Sequence, residues 1–177
     1  FYQIQIEYHM RYIIVIFLIL GQFILFSNHD IPELRKVMNS AEHDSDKAKY
    51  FKNYMESIEA DITILKAYQA ISRLIYIKHF EPFWTKWFVF NRETKRLDRI
   101  IESDPDQLEV RFLRYAVQDQ APFFLGYNDN LKEDKLKIEH CFGECSEDLK
   151  RLIDRYFIRF EQDLNRSSSK VDQCKCS

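Results

Sequence analysis

Glycine and proline are scarce in this chain, with three and four among 177 residues. An all-β protein built on tight turns needs more of both, so the shortage excludes a many-stranded sheet and favours helices. An excess of one charge is missing as well. Twenty-six basic and 28 acidic residues interleave to a net charge of −2. With no basic stripe to hold a polyanion, no nucleic-acid partner is expected. Local basic pairs such as Arg35-Lys36 and Lys150-Arg151 read as solvated helix faces.

Catalytic and metal-binding signatures are also lacking. The glycines are single and distant, which excludes a phosphate-cradling loop. No His-Glu-x-x-His helix or Gly-x-Ser-x-Gly elbow occurs, and the five histidines are scattered. Cys141 and Cys145 are separated by three residues and Cys174 and Cys176 by one, so neither pair has the C-x-x-C spacing. A zinc site made from all four would need Ser167-Ser168-Ser169 to fold back, and four cysteines allow three disulfide pairings. The simplest reading is unpaired or opportunistically oxidised thiols. No catalytic residue, cofactor or metal ligand is assigned.

What is present begins with a long apolar run. From Met10 the chain reads Met-Arg-Tyr-Ile-Ile-Val-Ile-Phe-Leu-Ile-Leu-Gly-Gln-Phe-Ile-Leu-Phe-Ser, one positive charge and then an apolar stretch, which is a signal-peptide layout. As a helix, residues 12–27 would span roughly 24 Å at about 1.5 Å per residue, short of the ~30 Å hydrocarbon core. Cleavage is therefore expected, with contact to the membrane only if this segment stays uncleaved. Residues 1–9, which carry Glu7 and His9, read as an upstream extension. Residues 28–165 read as a single α-helical domain and residues 166–177 as a polar flexible tail.

Within that domain prolines and caps coincide with changes of periodicity. Asp30-Ile31-Pro32 opens a helix carrying Leu34, Val37, Met38 and Ala41. Ala48, Phe51, Met55 and Ile58 lie on one face of a second. Asp61 is placed to cap a third, which carries Ile64, Leu65, Tyr68, Ile71, Leu74 and Ile75 and must end near Phe80, before Pro82.

Phe83, Trp84, Trp87, Phe88 and Phe90 lead a fourth helix through Leu97, Ile100 and Ile101; their three-and-four spacing predicts core packing rather than a stacking platform. Asp104-Pro105-Asp106-Gln107 predicts a capped start for a fifth, running to about Gln120. The apolar connection at residues 121–127 is expected to fold back on the hairpin, with Gly126 at positive φ. Asp129 or Asn130 opens a sixth helix, stopped by Gly143. Ser146 opens a seventh, with Leu149, Leu152, Ile153, Tyr156, Phe157 and Phe160 on its face. Seven helices on short connections predict an all-α fold of antiparallel hairpins, stacked as a short bundle or solenoid.

The block Leu97-Asp98-Arg99-Ile100-Ile101-Glu102-Ser103-Asp104-Pro105-Asp106 resembles the second helix and linker of a tetratricopeptide-type repeat, although no second copy stands in register. More broadly, residues 65–138 place in order Pro82, Asp104-Pro105, Arg111-Phe112-Leu113-Arg114, Pro122-Phe123-Phe124-Leu125-Gly126-Tyr127 and Glu133-Asp134. This order resembles a family of uncharacterised exported proteins of Bacteroidota-type bacteria. The resemblance implies a secretory signal and a tetratricopeptide-like helical fold, and it carries no activity with it. The aromatic stretch and the cysteine-bearing C-terminus depart from the family pattern.

One polar set stands out at the junction of the fifth helix and the loop after it: Glu109, Arg111, Arg114, Gln118, Tyr127 and Asp134. If the loop folds back, Arg111 or Arg114 can bridge Asp134 or bind loop carbonyls; otherwise the same arginines can hold an anionic group of a partner. The function expected is a non-enzymatic scaffold of the periplasm or cell envelope that binds a protein or peptide in a groove between hairpins. The alternatives are an enzyme whose residues converge only in the fold, and a purely structural envelope protein.

Export is directly testable. Residues 1–40 fused to an alkaline phosphatase lacking its own signal should give extracytoplasmic activity, and Ile16→Lys within the apolar run should abolish it. Equal activity with and without the lysine would refute the signal reading.

Overall fold

The computed structural model of this chain describes residues 30–159. The upstream extension, the signal segment, Phe160, Cys174, Cys176 and the polar tail lie outside the described residues. The chain divides into two units between Ile31 and Pro32, and the interior described below belongs to the second.

The described residues are all-helical, with no strand among them. Seven α-helices follow in order: α1 (Ile31–Ala41), α2 (Ser45–Ser57), α3 (Thr63–Phe80), α4 (Phe83–Ser103), α5 (Leu108–Gln120), α6 (Leu131–Cys141) and α7 (residues 147–159). Short 3-10 turns lie at Phe123–Leu125 and Phe142–Glu144. Consecutive helices pack in pairs, α2 on α3, α3 on α4 and α5 on α6, while α5 also contacts α3 and α4.

Backbone chemistry explains most boundaries. Asp44 accepts the amides of Asp46 at 3.0 Å and Lys47 at 3.1 Å, so the polar stretch that closes α1 also caps α2. Glu81 is extended at φ −104 and ψ 147, as the residue before a proline must be, and α3 stops at Phe80. Gly126 sits at φ 61 after the first 3-10 turn, a left-handed conformation that a Cβ would disfavour.

Several starts differ from the sequence expectation. Asp61 does not cap α3: the cap position is Ile62, with no side-chain bond. Asp104 closes α4 instead of opening α5, its amide meeting the carbonyls of Ile100 at 3.1 Å and Ile101 at 3.3 Å. Helix α5 begins only at Leu108, because residues 104–107 form a turn tied by Gln107 N to Asp104 O at 3.3 Å. Neither Asp129 nor Asn130 caps α6 by side chain. Ser146 does serve α7, its hydroxyl accepting the Leu149 amide at 3.4 Å.

The interior has two apolar regions that meet along α5. In one, Phe51 and Met55 of α2 are buried together with Leu65, Tyr68 and Ile71 of α3, Leu97 of α4 and Val110 of α5. In the other, Leu108, Phe112 and Tyr115 pack with Ile138 of α6 and with Leu149, Leu152 and Ile153 of α7, and Met38 of α1 lies against them. Residues 108–115 are buried without interruption, more than one helical face can supply, so α5 is enclosed on nearly every side.

The aromatic stretch at the start of α4 is not core. Phe83, Trp84, Trp87 and Phe88 are 64%, 73%, 55% and 62% exposed, which overturns the packing expectation. Periodicity identifies a face but not what lies opposite it. Here the buried side chains of α4 begin only at Glu93.

Candidate functional site

Two features hold chemistry beyond plain packing: a set of buried carboxylates, and an apolar cleft on the other side of α5. The first contains the polar residues singled out in the sequence. Asp134, in the first turn of α6, is fully buried. Its Oδ2 accepts Arg114 Nε at 2.7 Å and Gln118 Nε2 at 3.2 Å, and its Oδ1 accepts Arg114 Nη2 at 2.8 Å and Arg111 Nη1 at 3.0 Å. Spacing of three and four along α5 puts Arg111, Arg114 and Gln118 on one stripe facing α6.

Each of these side chains is also tied elsewhere. Arg111 Nε donates to the Pro105 carbonyl at 2.7 Å, holding the turn before α5, and its Nη1 reaches Glu133 at 2.9 Å. Arg114 Nη1 donates to Asp98 of α4 at 3.2 Å. Tyr127 is brought in by the returning loop, and its hydroxyl donates to the same Asp98 oxygen at 3.0 Å. Gln118 Oε1 accepts the Asn130 amide at 3.0 Å, serving the start of α6 that no local side chain caps. The loop therefore folds back at Tyr127, whereas Phe123 and Phe124 remain exposed.

Glu109 belongs to a different place. Its two oxygens accept Arg35 Nε at 2.8 Å and Arg35 Nη2 at 2.7 Å, a bidentate pair that ties α1 to α5. Tyr68 of α3 donates to Glu109 at 2.6 Å. Arg35 is thus a buried ion-pair partner and not part of a solvated face. Glu93 of α4, also buried, accepts Arg92 Nε at 2.7 Å and Arg73 Nη1 at 3.5 Å, with Arg96 Nη1 3.8 Å away. Arg35, Tyr68, Glu93 and Asp98 were not singled out in the sequence, since the relevant partners lie up to 74 residues away.

Burial and ion pairing act together on the titratable groups. Burial of Arg114 works against its charge, but the hydrogen bonds it donates to Asp134 outweigh it and hold the guanidinium above its ordinary value. The Glu109 hydrogen bond raises Arg35 in the same sense. Burial, then the Asp98 carboxylate, pushes the Tyr127 phenol up. Burial and neighbouring carboxylates raise Tyr68 and Tyr156, and Tyr115 is pushed up to about 12 by burial and then by Asp119. Asp134 is left as an acceptor saturated by protein donors.

The opposite face of α5 is apolar. Phe112, Leu113, Ala116 and Val117 form part of the wall of a cleft of about 490 Å³, together with side chains of α1, α3, α4, α7 and the 3-10 turn at Phe123–Leu125. That volume lies within the range of small-ligand and side-chain binding pockets. Trp87, Phe83 and Phe124 stand at its edge, exposed, and Phe83 and Phe124 lie 6.4 Å apart between ring centroids. A smaller apolar hollow adjoins it, lined by Trp84 together with Phe83, Trp87, Phe124 and Leu125, the last four shared with the larger cleft. None of the six polar residues singled out in the sequence lines either cavity.

Among the described residues no cluster of three or more His, Cys, Asp or Glu side chains is arranged to hold a metal ion, and Cys141 and Cys145 are free thiols. No helix of the described residues is long and apolar enough to cross a membrane. No protein-family model, curated protein or solved structure matches this chain.

Two predictions follow from the polar geometry. Asp134→Asn leaves two buried guanidinium groups short of a counter-charge and should destabilise the fold by about 3 kcal/mol. Asp98→Asn, at a partly exposed carboxylate, should cost about 1 kcal/mol or less. Urea unfolding monitored by helical circular dichroism measures both, and equal costs would contradict the ranking.

The phenols give the second. Their folded pKa values lie above the unfolded value of about 10, so the stability they contribute is complete below pH 10 and is lost as pH rises through 12 and beyond. The urea midpoint should therefore fall steadily above pH 10. Ionisation of all ten tyrosines in a single wave, with the helical signal intact, would be incompatible with this account.

Proposed function

We propose that this chain is a non-enzymatic interaction module of the cell envelope, binding a protein or peptide partner through the cleft beside α5. The observation that carries this reading is the join of an open apolar cleft to a group of exposed aromatic rings, Phe83, Trp84, Trp87 and Phe124. Solvent-exposed tryptophan and phenylalanine cost free energy in isolation, and contiguous patches of them mark interaction sites. Large aromatic anchors on relatively stiff side chains dominate binding energy at protein interfaces. The envelope assignment rests on the apolar layout of residues 10–27 alone.

The clamp at Asp134 supports this role from the far side of α5. It fixes the helix whose apolar face forms the wall of the cleft, so the wall is held before any partner arrives. A preformed wall lowers the ordering cost of binding.

Filling the cleft tests the reading. The environment-sensitive dye anilinonaphthalene sulfonate should bind the native protein at a single site and brighten. Ala116→Phe, which adds a ring to the wall, should weaken that binding at least roughly tenfold while leaving the helical circular dichroism unchanged. Unaltered dye binding by a folded Ala116→Phe protein would rule out the cleft as the site.

A further inference from the structure

The charges around the cleft narrow the partner. Lys78, Lys86, Arg155 and Arg159 line it, with Glu42 as the sole carboxylate among the described residues. Glu42 is already engaged, by Arg159 Nη1 at 3.4 Å and Gln120 Nε2 at 3.4 Å. Among the described residues Lys78, Lys86 and Arg155 form no ion pair. Lys86 Nζ donates only to the Lys78 carbonyl at 3.0 Å, and Arg155 Nε to the Arg151 carbonyl at 3.0 Å. The contrast with the interior is clear, where Arg35, Arg111 and Arg114 all face carboxylates. The cleft is cationic in a chain whose net charge is −2.

The shape of the apolar part matters equally. Two adjoining hollows have Phe83, Trp87, Phe124 and Leu125 in common in their linings. A pair of adjoining hollows suits separate side chains that project from one backbone. On a helix, residues three or four apart stand about 5–6 Å from each other and can enter neighbouring hollows. A single acyl chain would favour one continuous tunnel.

We infer that the occupant is an acidic amphipathic peptide segment, with bulky apolar side chains one helical turn apart seated in the two hollows and carboxylates beside them meeting Lys78, Lys86 and Arg155. The recognition is helix-in-groove, with apolar anchors supplying affinity and charge selecting the partner. This inference rests on the reading above that the cleft is a binding site.

Tryptophan emission tests it on the full chain, because both tryptophans, Trp84 and Trp87, lie at the site. Three synthetic helical peptides with one leucine-phenylalanine face are compared, carrying glutamate, glutamine or lysine on the flanks, with palmitate as a separate probe. The glutamate peptide should shift the emission and bind roughly tenfold or more tightly than the glutamine peptide, with the lysine peptide weakest, and the gap should close as salt rises. In the double variant Lys78→Glu/Arg155→Glu, at two exposed positions, the order of the glutamate and lysine peptides should reverse.

Equal affinity for the glutamate and glutamine peptides would overturn the inference while leaving the cleft a peptide site. Failure of all three peptides to bind would overturn both this inference and the reading it rests on. Binding of palmitate alone would overturn them in favour of an anionic acyl ligand.

Discussion

A carboxylate withdrawn from water between two helices must find positive charge or the fold that buries it does not form. Asp134, Glu109 and Glu93 are all in that position, each almost wholly shielded from solvent. Desolvating such a group costs several kcal/mol, and only well-placed, hydrogen-bonded counter-charges offset it. For Asp134 and Glu109 the arginines that do so come from other helices, whereas Glu93 draws on Arg92 and Arg96 of its own helix as well as on one from α3. Arg111 and Arg114 of α5 meet Asp134 of α6, Arg35 of α1 meets Glu109 of α5, and Arg73 of α3 meets Glu93 of α4. Apolar contact alone tolerates a helix sliding by a fraction of a turn, but a bidentate pair does not. The ion pairs therefore set the register of the hairpins, while the apolar side chains supply most of the favourable free energy.

Helix α5 is where these constraints converge. One stripe presents Arg111, Arg114 and Gln118 to α6, and Glu109 takes Arg35 and Tyr68. Another presents Phe112, Leu113, Ala116 and Val117 to the cleft. A polar network that satisfies all its members is rigid, and rigidity on one face of a helix is passed to the other because the backbone is shared. The network thereby holds the wall of the cleft without lining the cleft itself. Gln69 plays a similar part at the other end of the stack, bonding the carbonyls of Met55 and Ile58 where α2 ends, and accepting Arg96 Nη2 of α4.

Much of the helical framework was legible in the residues. Pro82 ends α3, Gly126 takes the left-handed turn, and the apolar positions of α2, α3 and α7 fall on the sides that become buried. These features are local: they depend on backbone sterics and on a period of 3.6 residues. Caps were harder to place. Asp61 and Asp104 had the right residue type before an apolar run, yet neither opens a helix: Ile62 stands at the cap position of α3 with no side-chain bond, and the Asp104 amide closes α4 instead. Of the polar residues singled out, five meet around Asp134 and Asp98, and Glu109 goes to Arg35. No local pattern contains that difference, since Arg35 and Glu109 are 74 positions apart.

By itself, then, the sequence determined an all-helical chain, most of its breaks, and which side of each helix is apolar, all consequences of interactions within a few residues. Only the tertiary structure decided which charges are buried together, because that depends on helices meeting from distant parts of the chain. It likewise decided that the rings of Phe83, Trp84, Trp87 and Phe88 face solvent, since periodicity marks a face without saying what covers it. The cationic cleft belongs to the same class. Lys78, Lys86, Arg155 and Arg159 are unremarkable in a chain of balanced charge, and become a site only when α3, α4 and α7 are brought around one apolar hollow.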